Sequence, residues 1–229
     1  MQAIILAGGL GSRLRPLTEV LPKPLLPVGE KSLLEINLNH LKKHGFDEII
    51  LATNYKSEMF EEYFGDGSNL GIKLTYSKEK KPLGTAGPLK LIDINSDNFL
   101  VMNGDLLTNL NFSELYKFHL SQGNPMTLVT QSITLPLNYG VVEHLDNHII
   151  KIKEKPKIES EVNAGIYIFN KEVINYIPKN AFYSMTDLFD DLLKDNMKIS
   201  RYLNKSYWLD IGQMENYEKA QNDFKEGII

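Results

Sequence analysis

Three short apolar runs constrain the fold more than any other feature of this chain. The runs "AIIL", "FDEIILAT" and "NFLVMNGD" are typical of strands buried on both faces of a parallel sheet. Segments with helical spacing lie between or beside them, at 33–44, 57–64, 86–92 and 112–120, and "IKLTYS" alternates as a strand does. This order predicts an α/β fold with right-handed crossovers and helices on both faces of the sheet.

The second half of the chain has a different pattern. Closely spaced strand-like segments follow Gly123, namely "MTLVTQ", "YGVVEHL", "HIIKIKEKP" and "VNAGIYIF", and the "DN" within them predicts a hairpin turn. Helices are predicted near 171–176 and 185–194, strands at 198–203 and 207–211, and a closing helix at 215–225. No linker interrupts the chain. We therefore expect one domain over 1–229, in which 123–229 elaborates the sheet begun by 1–122.

Composition excludes several classes of protein. The 229 residues carry a formal charge of −4, without the basic surplus of a nucleic-acid-binding domain. Because cysteine is absent, disulfides, thiolate metal sites and a cysteine nucleophile are excluded. No apolar run reaches the roughly 18–20 residues of a membrane span, and the N-terminus lacks the basic region of a signal peptide. We expect a cytoplasmic protein with neither a nucleic-acid nor a membrane partner.

The segment "LAGGLGSRLRPLT", followed by "PKPLLPV", suggests a binding loop. A dinucleotide fingerprint is disfavoured because Leu14 takes the place of its third small residue, and the G-K-[ST] of a P-loop is absent. A plain glycine turn with solvated arginines is the simplest alternative. Arg13, Arg15 and Lys23 favour a polyphosphate guest instead, because glycines let backbone N–H groups approach an anion that the cations neutralise.

Two acids and one lysine stand out farther along the chain. Asp105 ends the apolar run in "VMNGDLL", and ligands of parallel sheets bind at that edge. Asp210 lies in "YWLDIG" and Lys155 in "KEKP". Each acid could instead be a turn or cap residue, and the lysine could belong to a solvated charged face.

Taken together, these segments resemble the sugar-1-phosphate nucleotidylyltransferases. The family pattern G-G-x-G-[ST]-R-L-x-P-L-T followed by P-K-P is matched throughout, and "PLGTAGPL", "VMNGD", "YGVVE…EKP…NAGIYIF" and "YWLDIG" fit in order. The resemblance implies a Rossmann-like nucleotidyltransferase domain with a mixed, mostly parallel sheet and a small β-rich sugar-binding elaboration. It also implies that 1–122 binds the nucleotide and 123–229 the sugar.

Specific roles follow from this resemblance. It implies that Arg13, Lys23 and Asp105 are catalytic and that Asp105 and Asp210 bind Mg2+, an ion that suits two carboxylates completed by phosphate oxygens and water. The implied nucleotide-binding residues are Leu6, Ala7, Gly8, Gly9, Gly11, Ser12, Glu79, Pro82, Gly84, Thr85 and Asn103. The implied sugar-phosphate-binding residues are Gly140, Glu154, Lys155, Asn163 and Gly165, with Lys155 on the phosphate and Glu154 on sugar hydroxyls.

Glu79 bears on the choice of nucleotide. In thymidylyl members of the family an amide-bearing residue near this position reads the base. An ionised carboxylate only accepts hydrogen bonds, and guanine offers N–H and NH2 donors on one edge, so Glu79 favours GTP. The alternative is that "SKEKK" is a charged surface run.

The expected reaction is transfer of a nucleoside monophosphate from an NTP to a sugar 1-phosphate, releasing pyrophosphate. The segments "NYKSEMFEEYFGDGSNLGI" and "VMNGDLLTNLNF" look most like glucosamine-1-phosphate guanylyltransferases of legionaminic acid pathways, with mannose and heptose enzymes as alternatives. Such enzymes serve cell-surface glycan biosynthesis. Cytidylyl or uridylyl transfer to another phosphorylated molecule, and a non-catalytic nucleotide-sugar sensor, stay open, as does a homo-oligomer. None of the five histidines falls in a family motif, so we interpret them as structural or surface residues.

Overall fold

A computed structural model describes all residues, 1–229. The strands are β1 (Gln2–Leu6), β2 (Pro27–Val28), β3 (Lys31–Ser32), β4 (Glu48–Thr53), β5 (Lys73–Lys78), β6 (Asn98–Asn103), β7 (Leu106–Thr108), β8 (Met126–Pro136), β9 (Val141–Leu145), β10 (His148–Lys153), β11 (Lys157–Asn170), β12 (Ile199–Asn204) and β13 (Trp208–Asp210). The α-helices are α1 (Leu17–Val20), α2 (Leu33–Lys43), α3 (Ser57–Phe64), α4 (Phe112–Gln122), α5 (Met185–Lys194) and α6 (Met214–Lys225). The 3-10 helices are Ser12–Leu14, Lys23–Leu25, Ser68–Leu70, Gly87–Leu91 and Lys171–Tyr176.

The central sheet has seven strands in the order β12-β8-β11-β6-β1-β4-β5. Strands β6, β1, β4 and β5 are parallel neighbours, and β12 is parallel to β8. Only β11 runs antiparallel to both of its neighbours, β6 and β8. The α/β class and the mixed, mostly parallel sheet are therefore confirmed.

Each face of this sheet carries its own hydrophobic core. Ile5, Leu51 and Met102 lie on one face, where apolar residues of α2, α3 and α4 cover them. Ile4 and Phe99 point to the other face and pack with residues of α5 and of the 3-10 helix Gly87–Leu91. Because both faces are covered, the strands carry the continuous apolar runs from which they were predicted.

The predicted helices match the structure closely, with two differences of type. The segments predicted at 86–92 and 171–176 form 3-10 helices, Gly87–Leu91 and Lys171–Tyr176. The predicted hairpin is β9–β10, and Asp146 takes a left-handed conformation in its turn (φ 49°). No helix is both long and apolar enough to span a membrane.

Two strands extend beyond their predicted limits, and three short strands, β2, β3 and β7, were not predicted. The paired strands β8 and β11 continue outward as a ribbon of largely exposed residues, which lacks the apolar signal that marks their inner halves. Strand β7 begins just after the predicted run "NFLVMNGD", and a turn at 104–105 separates it from β6. It pairs with β13, so the end of the chain returns to the segment that follows β6.

Candidate active site

The glycine-rich loop after β1 folds back on the Pro-Lys-Pro segment. Gly11 has φ 62°, and a Cβ atom there would lie 2.9 Å from Thr18 and 3.3 Å from Lys23. The Thr18 hydroxyl donates a 2.9 Å hydrogen bond to the Gly11 carbonyl. Only the three-residue 3-10 helix Ser12–Leu14 follows, whereas a dinucleotide fingerprint opens a longer helix. The loop is thus shaped to bring Lys23 beside the glycines.

Lys23 forms an ion pair with Asp105. Its Nζ lies 2.6 Å from Asp105 Oδ2, and the lysine side chain is only 11% exposed. Gly104 lets the turn that carries Asp105 approach the segment that carries Lys23. Its N–H donates to the Leu6 carbonyl at 2.9 Å, and a Cβ there would lie 3.4 Å from Pro24. A buried ammonium thus meets a carboxylate at the carboxyl edge of β1 and β6.

The pairing of β7 with β13 brings Asp210 next to Asp105. Asp210 lies opposite Leu106, and the Ile211 N–H donates to the Asp105 carbonyl at 2.9 Å. Asn216 at the start of α6 donates a 2.6 Å hydrogen bond to the Asp210 carbonyl and fixes this segment. Burial, followed by the negative charge of Asp105, raises the pKa of the Asp210 carboxyl, and Lys23 partly opposes that shift.

Arg13 completes this cluster of charges. A Cβ atom at Gly212 would lie 3.2 Å from Arg13 Nη2 and 3.3 Å from both carboxylate oxygens of Asp210. The absence of a side chain at Gly212 therefore leaves room for the guanidinium and the carboxylate side by side. Two cations and two acids from three distant parts of the chain meet at one edge of the sheet, namely Arg13, Lys23, Asp105 and Asp210.

A cleft of about 420 Å³ opens beside this charge cluster. The ends of β1, β4, β5 and β6 form it, as expected where ligands bind at the carboxyl edge of a parallel sheet. The predicted residues that line it are Leu6, Gly8, Gly9, Glu79, Pro82, Gly84, Thr85, Asn103 and Asp105. Ala7, Gly11 and Ser12 belong to the same glycine loop but do not line the cleft.

Sequence reasoning missed five lining residues, Leu10, Ala52, Asn54, Pro88 and Phe182. Asn54 directly follows β4, so the rule that sites lie at strand ends could have found it. Phe182 lies in "KNAFYS", outside every family motif, and the sequence carries no signal for it.

Glu79 is tied into the cleft wall by both oxygens of its carboxylate. Oε2 accepts a 2.9 Å hydrogen bond from the Leu83 N–H, and Oε1 accepts one of 3.1 Å from Asn54 Nδ2. A Cβ atom at Gly8 would lie 3.0 Å from Oε1. The glycine therefore lets the first loop approach this carboxylate.

The structure divides the predicted sugar-phosphate residues into two groups. Gly165 (φ 72°) adjoins the cleft, because a Cβ there would lie 2.5 Å from Asn103 Nδ2. Asn163 supports that turn by accepting from the Gly165 N–H at 2.8 Å.

The other three lie elsewhere. Gly140, Glu154 and Lys155 flank the β9–β10 hairpin and are exposed, and none of them lines the cleft. Glu154 does lie next to Gly140, since a Cβ on that glycine would be 3.1 Å from its Oε2.

The acids present define what metal could bind. The chain has no group of three or more His, Cys, Asp or Glu side chains placed to enclose an ion. Asp105 and Asp210 supply two carboxylates at the edge of the cleft. This donor set suits an ion such as Mg2+, which binds through one or two carboxylates and takes its other ligands from water and phosphate oxygens.

Comparison with known families decides the affiliation of this chain. Residues 2–227 match the model described as nucleotidyl transferase. The chain belongs to the nucleotidyl transferase family. The matched range of this nucleotidyl transferase contains every residue of the cleft and of the charge cluster.

Relatives of known name point to nucleotide sugars. The chain is 39% identical over 227 residues to the probable mannose-1-phosphate guanylyltransferase 1 of Oryza sativa subsp. japonica, covering 95% of this chain and 63% of that protein. It is 38% identical over 241 residues to the UTP–glucose-1-phosphate uridylyltransferase of Synechocystis sp., covering 96% of this chain and 62% of that protein. The nucleotidyl transferase chain thus spans less than two thirds of the length of these relatives.

Solved structures share the fold over nearly their whole length. A putative glucose-1-phosphate thymidylyltransferase from Bacillus anthracis, in complex with a sucrose, has a TM-score of 0.80 at 28% identity and covers 97% of this chain and 94% of that one. HddC from Yersinia pseudotuberculosis, complexed with GMP-PN, has a TM-score of 0.77 at 28% identity, and the match covers 97% of this chain and 99% of that one.

Proposed function

We propose that this protein transfers a nucleoside monophosphate from an NTP to a sugar 1-phosphate, releasing pyrophosphate and an NDP-sugar. The observation that carries the proposal is a charge cluster beside a cleft of about 420 Å³; the cluster consists of Arg13, Lys23, Asp105 and Asp210. The relatives named for guanylyl and uridylyl transfer to sugar 1-phosphates support it.

The reaction needs positioning and charge neutralisation more than proton transfer. The attacking oxygen of a sugar phosphate is already ionised near neutral pH, so no general base is required. The protein has to bring two polyanions together in line and neutralise charge as it develops. Backbone N–H groups of the glycine loop and the Arg13 guanidinium would bind the triphosphate and stabilise the departing pyrophosphate.

Members of this family are generally metal-dependent. Asp105 and Asp210 would hold Mg2+, which when bound supplies positive charge at the phosphates. In the structure Asp105 is paired with Lys23, so the ammonium already neutralises one of the two acids. Lys23 would then turn toward the β- and γ-phosphates once an NTP occupies the cleft.

Glu79 makes GTP the favoured nucleotide. Its carboxylate lies in the cleft wall as an acceptor, which suits the donor edge of guanine. The guanylyltransferase relatives agree with this choice. Mannose, heptose or glucosamine 1-phosphate would be the acceptor. The uridylyltransferase relative favours UTP with glucose 1-phosphate as the second candidate.

The exposed Lys155 and Glu154 would bind the acceptor where it extends from the cleft toward the hairpin. Lys155 would contact the sugar phosphate and Glu154 the sugar hydroxyls, with Gly140, Asn163 and Gly165 shaping the pocket between them. On this proposal 1–122 is the nucleotide-binding half and 123–229 the sugar-binding half of one domain. A cytoplasmic location and assembly into a homo-oligomer accord with the function.

A coupled pyrophosphate assay tests the proposal. The protein is mixed with Mg2+, each of the four NTPs, and mannose, heptose, glucosamine or glucose 1-phosphate. We expect pyrophosphate release with GTP and one of these acceptors, and loss of release when EDTA is added. Absence of pyrophosphate in every combination would overturn the proposed activity, and release with UTP and glucose 1-phosphate would select the second candidate.

A further inference from the structure

Phe182 is an exposed aromatic side chain in the wall of the cleft. It is 68% exposed, and no other phenylalanine of the chain is among the strongly exposed apolar residues. Single exposed apolar residues are common on protein surfaces and usually need no explanation. This one differs because it faces the same cleft as Glu79, Pro82 and Gly84.

The backbone around Phe182 is held firmly against the opposite loop. The Tyr183 N–H donates to the Leu83 carbonyl at 2.8 Å, and the Tyr183 carbonyl accepts from the N–H groups of Ala86 and Gly87, each at 3.0 Å. The Met185 N–H donates to Thr85 Oγ1 at 2.7 Å. These contacts fix the backbone that carries the Phe182 side chain into the cleft wall.

Glycines make this close contact possible. A Cβ at Gly84 would lie 2.6 Å from the Tyr183 carbonyl oxygen, and one at Gly87 would lie 3.1 Å from the Ala181 carbonyl. Gly84 also has φ 82°, a conformation that other residues rarely adopt. The Tyr183 hydroxyl, which donates to Asp191 Oδ2 at 2.5 Å, anchors the segment to α5.

The lining of the cleft combines two kinds of surface. The glycine loop and Asp105 supply backbone N–H groups and charge. Ala52, Pro82, Pro88 and Phe182 present apolar surface. Leu83 links the segment that carries Phe182 to Glu79, because its N–H donates to the Glu79 carboxylate while its carbonyl accepts from the Tyr183 N–H. A flat apolar ring beside a polar acceptor matches the face and the edge of a nucleobase.

We propose that Phe182 stacks on the base of the bound NTP and positions it in the cleft. This inference rests on the proposed function. Because every base has a π-face, the stacking contributes affinity for any nucleotide, while Glu79 discriminates among them.

The test compares Phe182→Ala with Phe182→Trp and with Leu193→Ala. Leu193 is 57% exposed on α5 and does not line the cleft, so it controls for loss of an exposed apolar side chain. Binding of GTP–Mg2+ and of inorganic triphosphate is measured by calorimetry without acceptor, and the thermal midpoint checks folding. Steady-state kinetics follow with the NTP and acceptor that the wild type uses.

We expect Phe182→Ala to weaken GTP binding and raise the KM for the NTP about tenfold (about 1.4 kcal/mol), the low end of base–aromatic stacking. Inorganic triphosphate should bind as before, because it has no base. The KM for the sugar 1-phosphate and kcat should stay within twofold, and Phe182→Trp and Leu193→Ala should resemble the wild type.

Unchanged GTP affinity in Phe182→Ala would overturn the inference, as would a rise confined to the KM of the sugar 1-phosphate. The proposed function fails separately, when the wild-type protein releases no pyrophosphate with any NTP. In that event calorimetry with GTP still decides whether Phe182 contacts a base.

Discussion

Lys23 Nζ lies 2.6 Å from Asp105 Oδ2, so in the absence of substrate the ammonium neutralises one of the two acids of the charge cluster. Asp210 adjoins this pair, and the negative charge of Asp105 contributes to its raised pKa. The ammonium therefore occupies the carboxylate that a divalent ion would use. Metal and nucleotide binding should be coupled, because an arriving triphosphate offers Lys23 another partner and releases Asp105.

Replacing Lys23 with Met should separate metal binding from turnover. We expect turnover to fall about 100- to 1000-fold, as for loss of one preorganised charge. Binding of Mg2+ to the free protein should strengthen about tenfold, because removal of one positive charge within about 4 Å is worth ~1–4 kcal/mol. Calorimetry with MgCl2 in the absence of nucleotide measures this. Lys31→Met, at an exposed lysine, is the control. Weaker Mg2+ binding in Lys23→Met would contradict the coupling.

Arg13→Ala should reduce turnover with the fold intact. Arg13 is exposed, and its guanidinium lies beside Asp210 next to Gly212. Loss of this charge should lower kcat about 100- to 1000-fold, while the thermal midpoint stays close to that of the wild type. Arg201→Ala removes an arginine that pairs with Glu161 and does not line the cleft, and it is the control. Near-normal turnover of Arg13→Ala would remove this residue from the mechanism.

Local signals predicted the inner parts of the fold and one end of the site. The apolar runs of β1, β4 and β6 gave both the sheet and its carboxyl edge, so the glycine loop and Asp105 could be placed there. The neighbourhood of Asp210 and Asp105 could not be predicted from spacing, because it depends on β7 pairing with a strand about a hundred residues later. Only the resemblance to a family joined the two acids.

Phe182 shows a second limit of sequence reasoning. Its place in the cleft depends on hydrogen bonds between the Tyr183 backbone and residues 83–87, and backbone contacts of this kind leave little trace in side-chain identity. The outer ribbon of β8 and β11 was missed for a related reason. Its residues are mostly exposed, so no hydrophobic alternation marks the strand ends.

Glu79→Gln should change nucleotide preference more than it changes the fold. The amide would keep one acceptor but place an NH2 group against either the Leu83 N–H or the Asn54 amide, both of which now donate to the carboxylate. We expect the ratio of kcat/KM for GTP to that for UTP to fall about tenfold, because the amide would face the donor edge of guanine with one acceptor oxygen fewer, and an unpaired donor costs ~1–3 kcal/mol. Glu62→Gln, on the exposed surface of α3, is the control. An unchanged ratio would mean that Glu79 only holds the loop.

The buried His119 should make stability depend on pH. Asn98 Oδ1 can only accept a hydrogen bond, so His119 Nε2–H donates to it. Nδ1 accepts a hydrogen bond from the Thr127 hydroxyl. With one nitrogen donating and the other accepting, the imidazole ring is neutral. Burial lowers its pKa from 6.5 to about 4. Below pH 6.5 the unfolded chain therefore binds a proton that the folded chain does not, and stability falls until the pH reaches about 4. From pH 8 to pH 5 the loss in the free energy of unfolding should be about 2 kcal/mol.

Urea unfolding at both pH values measures this loss, with His119→Gln as the comparison. The variant is less stable at either pH but should lose about 2 kcal/mol less between them, whereas an equal loss in both proteins would show that His119 does not titrate in this range.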